Sequence, residues 1–215
     1  MPWWVGQPRV FLRAVARSVV EAPLPFAPRW VAAADVAYGE KLAAAAVVLW
    51  DTEGDRAVWE ASFVAPVPFA YRPGLFSLRE APLVLPLLAR VPGDEWVALV
   101  HGHGRAHPLG AGLASVVGVI LARPTVGCAG SLLCGQALPP ARPRGSQSPV
   151  RLRGKLVGAL VRTREAVKPV VVSVGNAVTL EEAVALVLAT SSFRFPEPLR
   201  LADQLARRAL RCVEP

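Results

Sequence analysis

Lysine is almost missing from the basic side chains: Lys41, Lys155 and Lys168 are the only lysines among 24 Lys and Arg residues. Cysteine is scarce as well. Cys128, Cys134 and Cys212 are odd in number and form no C-x-x-C pair, which excludes a disulfide framework and a zinc ribbon and predicts buried, reduced thiols. No apolar run reaches the roughly 20 residues of a membrane helix. The longest, residues 112–122, is interrupted by Ser115. Arg9, Arg13 and Arg17 break up the N-terminal apolar residues and leave no clean signal-peptide core, so a cytoplasmic protein without a membrane partner is expected. Hydrophobic residues make up 53% of the 215, enough for a sizeable core, expected as one domain over 1–215. The net charge of +8 rests on arginine, whose planar fork suits phosphate, so nucleic acid is a natural partner. A plain bias toward Ala, Pro, Val and Arg explains the same charge, and net charge speaks to association rather than fold.

All three histidines fall in one stretch, Val97-Ala98-Leu99-Val100-His101-Gly102-His103-Gly104-Arg105-Ala106-His107-Pro108. Four apolar residues without alternation read as a strand buried on both faces. His101 stands at its carboxyl end, where open α/β sheets bind ligands. Gly102 and Gly104 have no Cβ and let a ligand approach the main chain. The apolar segment 110–122 then predicts a packed helix that braces the loop.

Residues 1–28 hold several prolines around an amphipathic helix expected over 10–21. Runs at 30–36, 43–50 and 57–64 read as strands of an antiparallel meander. Pro66, Pro68 and Pro73 make an extended loop, followed by a helix over 78–90 that Pro82 and Pro86 start or kink. Strands at 97–101 and 125–129 follow. Residues 135–148 read as a mobile loop. Arg151, Arg153, Arg162, Arg164 and Lys168 flank the apolar run 156–161, and 170–174 is a buried strand. Thr179 and Glu182 fit a capping box for a helix through Ala189, and 198–211 forms the last helix. A meander followed by alternating strands and helices predicts an α/β domain with a mixed β-sheet flanked by helices.

Two constellations carry chemistry. His101-x-His103, with His107 nearby, suits zinc, copper, iron or nickel; the alternative is that these rings bind phosphate or main chain. Asp35 near a strand end and Glu80 near a helix start can hold magnesium for phosphodiester hydrolysis; the alternative is a turn residue and a helix-dipole partner.

The pattern resembles the endonuclease V family over about residues 30–210. The likeness rests on Asp35-Val36-Ala37-Tyr38, on Tyr71-Arg72-Pro73-Gly74-Leu75-Phe76-Ser77-Leu78-Arg79-Glu80-Ala81-Pro82, and on His101 to Pro108. It continues through Gly112-Leu113-Ala114-Ser115, Pro124-Thr125-Val126-Gly127, Lys168-Pro169, Val172-Ser173-Val174-Gly175 and Phe195-Pro196-Glu197-Pro198. The resemblance implies a ribonuclease H-like fold. It implies an enzyme of DNA repair that nicks DNA or RNA 3′ of (deoxy)inosine with Mg2+ or Mn2+. By the same resemblance Asp35 and Glu80 match metal ligands, and Tyr71 matches the wedge that fills the gap left by the lesion. Pro73, Gly74, Leu75, Gly102, Gly104 and Leu113 match the pocket for the extruded base, and His107 matches a phosphate contact. A base lifted from its stack needs such a pocket.

Five positions depart from that pattern. His101 replaces the family's third carboxylate, Gly130 its lysine, Asn176 its histidine, and Leu109-Gly110 its basic pair after His-Pro. Magnesium wants oxygen ligands, and a neutral imidazole adds no negative charge and favours softer metals. Losing the lysine removes a charge of the kind worth about 2.7–4 kcal/mol when an oxyanion donor is deleted. The sequence therefore predicts an endonuclease V-like nucleic-acid binder with impaired or lost catalysis. One alternative is an active inosine-directed nuclease with His101 as a catalytic metal ligand, for Mn2+ or Zn2+. The other is a non-catalytic structural or partner-binding protein.

Overall fold

Asp35 and His101, 66 positions apart, become neighbours because β1 (Trp30–Tyr38) and β4 (Trp96–His101) lie parallel in matched register. Their ladder runs from Trp30 beside Trp96 to Ala34 beside Val100, and the next step brings Asp35 to His101. The computed structural model describes residues 6–68 and 72–213. It places eight strands in one sheet of order β3-β2-β1-β4-β5-β8-β7-β6. The remaining strands are β2 (Leu42–Asp51), β3 (Arg56–Pro66), β5 (Thr125–Ala129), β6 (Gln147–Leu152), β7 (Lys155–Val161) and β8 (Val170–Asn176). β1, β2 and β3 form the expected antiparallel meander. β5 is parallel to β4, whereas β8 returns antiparallel to β5.

Among the described residues, five helices cover the two faces. α1 (Pro8–Ser18), α2 (Phe76–Leu88) and α3 (Leu113–Leu121) bury Leu12, Val84, Leu87 and Val116 against Ala32, Ala34 and Val100. α4 (Leu180–Ala189) and α5 (Glu197–Arg211) cover the side that carries Val31, Ala33, Val97 and Leu99. Strand residues alternate between faces, so Asp35 and His101 continue the second set and face α5. Ala44 and Ala46 of β2 let Ala206 and Leu210 of α5 sit close to the sheet.

Four expectations change in detail. Helix α1 begins at Pro8, whose fixed φ suits a first turn, and ends at Ser18, with Val19 extended. Helix α2 runs through both Pro82 and Pro86. They lie four residues apart on the outer face, where water can reach the freed carbonyls, while Leu83, Val84, Leu87 and Leu88 hold the inner face in the core. Of the thiols only Cys128 is buried; Cys134 is partly exposed and Cys212 exposed. The stretch 135–148 is tied in at several points. Gln136 bridges Arg151, Gln147 and Ser148 belong to β6, and Arg162 donates to the carbonyls of Pro140 and Ala141. The capping box at Thr179 and Glu182 is present. Among the described residues no helix is long and apolar enough to cross a membrane.

Candidate functional site

The polar residues gather at the carboxyl end of β1 and β4. His101 Nδ1 lies 3.0 Å from Asp35 Oδ2, while Asp35 Oδ1 accepts from the Val36 N–H at 2.8 Å. Burial opposes a charge on the His101 ring. The hydrogen bond to Asp35 and the charges of Asp35 and Asp203 outweigh it, and Arg194 pushes the other way, so the net shift is upward. Glu80 comes from the opposite face, one turn inside α2. Burial and the neighbouring Asp35 push its carboxyl well above the usual range. The Tyr38 hydroxyl beside it is pushed well above its ordinary range by burial and by Glu80, and its ring carries the Arg79 guanidinium at 4.1 Å.

A cavity of about 380 Å³ opens beside this cluster. Asp35, Glu80, His101, Gly74, Ser77, Gly102, His107 and Leu113 all line it. Gly102 has room there: an added Cβ would make only ordinary contact with Leu113 at 3.4 Å. Gly104 serves another purpose. A Cβ at that position would lie 2.0 Å from the Val174 carbonyl oxygen, and its N–H donates to Ser173 Oγ at 2.8 Å. Its missing side chain lets the loop lie on β8, away from the cavity. Pro73 and Leu75 flank Gly74, whose φ of +75° is the left-handed turn into α2. Tyr71, the expected wedge, lies outside the described residues.

The three histidines have separate partners. His103 Nε2 donates to the Ser131 carbonyl at 3.0 Å and braces the following loop. His107 is 3% exposed, with Nδ1 accepting from the Leu109 N–H at 3.2 Å. Its ring N–H meets the Gly74 carbonyl, so it latches the two loops of the cavity together. Burial lowers its pKa to about 4, with the His103 ring adding to the effect. Among the described residues no three His, Cys, Asp or Glu side chains are grouped to hold a metal ion. Asp35 and Glu80 bring carboxylate oxygens to this cavity, and His101 brings an imidazole nitrogen.

Some functional neighbours escaped the reading of the sequence. Asp203 of α5 shares a second cavity of about 250 Å³ with Asp35, His101, Phe195, Arg200 and Arg207, and pairs with Arg207 at 2.7 Å. Its signal was an acid beside the apolar stripe of Leu199, Ala202, Ala206 and Leu210. Phe195 meets the His101 ring edge-on, with centroids 5.2 Å apart. Arg194 stacks on Phe195 and donates to the carbonyls of Gly130 and Lys168 at 2.6 and 2.9 Å. A Cβ on Gly130 would lie 3.2 Å from Phe195 Cζ and 3.6 Å from Arg194 Nη2, so these side chains fill the space a larger residue would enter. Asn176 lies elsewhere. It pairs with Thr125 at the start of β5, whereas His101 pairs with Cys128 near its end. Its amide accepts from the Val20 N–H and donates to the carbonyls of Gly118 and Arg123. It is a strut at the far end of the sheet. Several arginines, Arg144, Arg162 and Arg194 among them, are likewise held by main-chain carbonyls.

Comparison with known proteins agrees with the arrangement. The family model for Endonuclease V matches residues 13–204. Endonuclease V of Streptomyces coelicolor is 44% identical over 201 residues, covering 91% of this chain and 86% of that protein. The crystal structure of the Streptomyces avermitilis endonuclease V superposes with a TM-score of 0.91 at 38% identity, over 98% of this chain and 94% of the other. A Ciona intestinalis endonuclease V, solved with a 24mer DNA containing an inosine, has the same fold: TM-score 0.83 at 22% identity, over 97% and 98% of the two chains. The sheet order, the cavity at the ends of β1 and β4, and this extent of identity together make the chain a member of the endonuclease V family.

Proposed function

We propose that this protein grips a DNA or RNA strand carrying an extruded (deoxy)inosine, and that magnesium-dependent scission is impaired or lost in it. The contact between Asp35 and His101 carries the proposal. An imidazole in place of a carboxylate withdraws one negative charge and engages the acid that remains. Removing a ligand anion weakens both the hold on the cation and its activation of water. Other changed positions bring no cation either: Gly130, and Leu109-Gly110 after His107-Pro108. The cavity itself keeps its glycine, main-chain and apolar walls, which is the environment a flipped base needs. A base in this cavity would be held chiefly by main chain at Gly74 and Gly102 and by Leu113, with His107 keeping the two loops in register.

A second reading is favoured by one observation: Asp203 faces the same cluster from α5. Asp35 and His101, 3.0 Å apart, offer an oxygen and a nitrogen, donors that suit Mn2+ or Zn2+ better than Mg2+. That reading makes the protein an active nuclease with altered metal use.

Binding and nicking assays on an inosine strand and its adenosine counterpart, with Mg2+, Mn2+ or Zn2+ in turn, separate these readings. The expected result is inosine-preferring binding that weakens with salt, because phosphate contacts release counterions, and no nick in Mg2+. Nicking in Mg2+ that Asp35→Ala abolishes refutes the loss of scission. Nicking only in Mn2+ or Zn2+ selects the second reading. Absence of binding at low salt overturns both and leaves a structural or partner-binding protein.

A further inference from the structure

Phe193 stands exposed in the segment between α4 and α5, with 47% of its surface open to water. Two guanidiniums lie over its ring, Arg200 at 4.4 Å and Arg164 at 5.8 Å from the ring centre. Arg200 is held by Glu197, one turn earlier in α5. Arg164 is exposed and has no acidic partner among the described residues. The seat under this group is rigid. Thr163 Oγ1 donates to the Arg194 carbonyl at 2.6 Å, and the Arg194 guanidinium donates in turn to the carbonyls of Lys168 and Gly130. A ring carried on a fixed backbone has little freedom to lose on binding. Arg200 also lines the second cavity, beside Asp35, His101 and Phe195. Asp35 and His101 belong to both cavities. A strand with one base in the first cavity therefore carries its next nucleotides across these two side chains toward Arg200 and Phe193.

We propose that Phe193, with Arg164 and Arg200, is a stacking platform for a second, unpaired nucleobase of the bound strand. The inference rests on the reading of the first cavity as the seat of an extruded base. Every base has a π-face, and both aromatic rings and guanidinium planes stack on it. The two arginines also bring the positive charge that suits the phosphate next to a stacked base. Cations at the ring favour an anionic strand over an apolar protein segment. Such a platform reads no sequence, so it adds affinity without changing which base enters the first cavity.

The test maps the stack and then removes it. A short DNA strand carries one hypoxanthine, and 2-aminopurine replaces successive bases on either side of it in turn. Stacking quenches this fluorescent base. Wild type should quench it at a position that Phe193→Ala releases. Phe193→Ala and Phe193→Leu should each weaken binding about 5–100-fold, the span for losing one base–aromatic stack, while Phe193→Trp should hold or tighten it. An abasic site at the mapped position should cost wild type a similar factor and cost Phe193→Ala nothing further. Preference for hypoxanthine over adenine should be the same in wild type and the variants, and so should the melting temperature, because the ring is exposed. Unchanged affinity and quenching in Phe193→Ala, with the hypoxanthine preference intact, overturns the platform and leaves the base pocket standing. Equal losses from the abasic site in wild type and Phe193→Ala also overturn it, since ring and base would then act independently. Full affinity in Phe193→Leu overturns stacking in favour of plain apolar contact. Equal binding of hypoxanthine and adenine strands by wild type overturns the pocket reading and this inference with it.

Discussion

On the α2 and α3 side, the site is shaped by main chain. Gly74 turns with positive φ, Gly102 leaves the wall open, and His107 ties one loop to the other. On the α5 side, it is shaped by charge. Asp35, His101, Asp203 and Arg207 line a second, smaller cavity around Phe195. The first half depends on glycines, a turn and a few apolar side chains. The second half depends on the number and sign of charges, to which position 101 contributes an imidazole. The two halves share a wall at Asp35 and His101 but rest on different kinds of interaction.

The comparison breaks most readily at Gly104. A methyl group there meets the Val174 carbonyl at 2.0 Å, so Gly104→Ala must lift the 102–108 loop from β8. The expected loss is about 3 kcal/mol or more, the upper range for overpacking, read as a fall in urea midpoint together with loss of inosine binding. Next in size is a pH effect on the cavity side. His107 titrates lower in the folded protein than in the unfolded chain, at about 4 against 6.5. Protonation therefore favours unfolding. Its contribution is intact above about pH 6.5 and is lost as pH falls toward about 4, amounting to at most about 3 kcal/mol. Urea titrations across that window should show the fall, and His107→Gln should flatten it.

Asn176→Ala sharpens the contrast from outside the site. It leaves the Val20 N–H and the carbonyls of Gly118 and Arg123 without their partner. About 2 kcal/mol of stability should go, with inosine affinity unchanged within error. A large loss of affinity in a well-folded variant would return Asn176 to the site. The smallest effect belongs to Thr179→Ala, which removes the capping box of α4 far from either half. It should cost about 1 kcal/mol in thermal or urea unfolding and leave binding alone.

Much of this was readable in the chain because it is local. The apolar runs of β1, β4 and β5, the turn glycines, and the Thr179 and Glu182 box each carry their signal within a few residues. Asp35, Glu80 and His101 were recognisable because each stands inside a motif, and they do meet around one cavity. What escaped depends on pairings between distant segments. Asn176 looks like a site position beside Ser173-Val174-Gly175, yet β8 runs antiparallel to β5 and carries it to the other end of the sheet. Asp203 reads as one more polar residue of an amphipathic helix until α5 is laid across β1. The three histidines, seven positions from first to last, point to a shared ion; in space each finds its own partner in Asp35, Ser131 or Gly74. Prolines 82 and 86 argue against a continuous α2, and tertiary packing of its inner leucines prevails.

The central claim is that His101 beside Asp35 stands where a hard dication would need a carboxylate. Titration of Mn2+ into the protein, followed by electron paramagnetic resonance of the free ion, tests it directly. Wild type should leave the added ion free at micromolar concentrations, and His101→Asp should take up about one ion per chain in competition with Mg2+. Tight uptake of one Mn2+ by wild type, abolished by Asp35→Ala, would contradict the account.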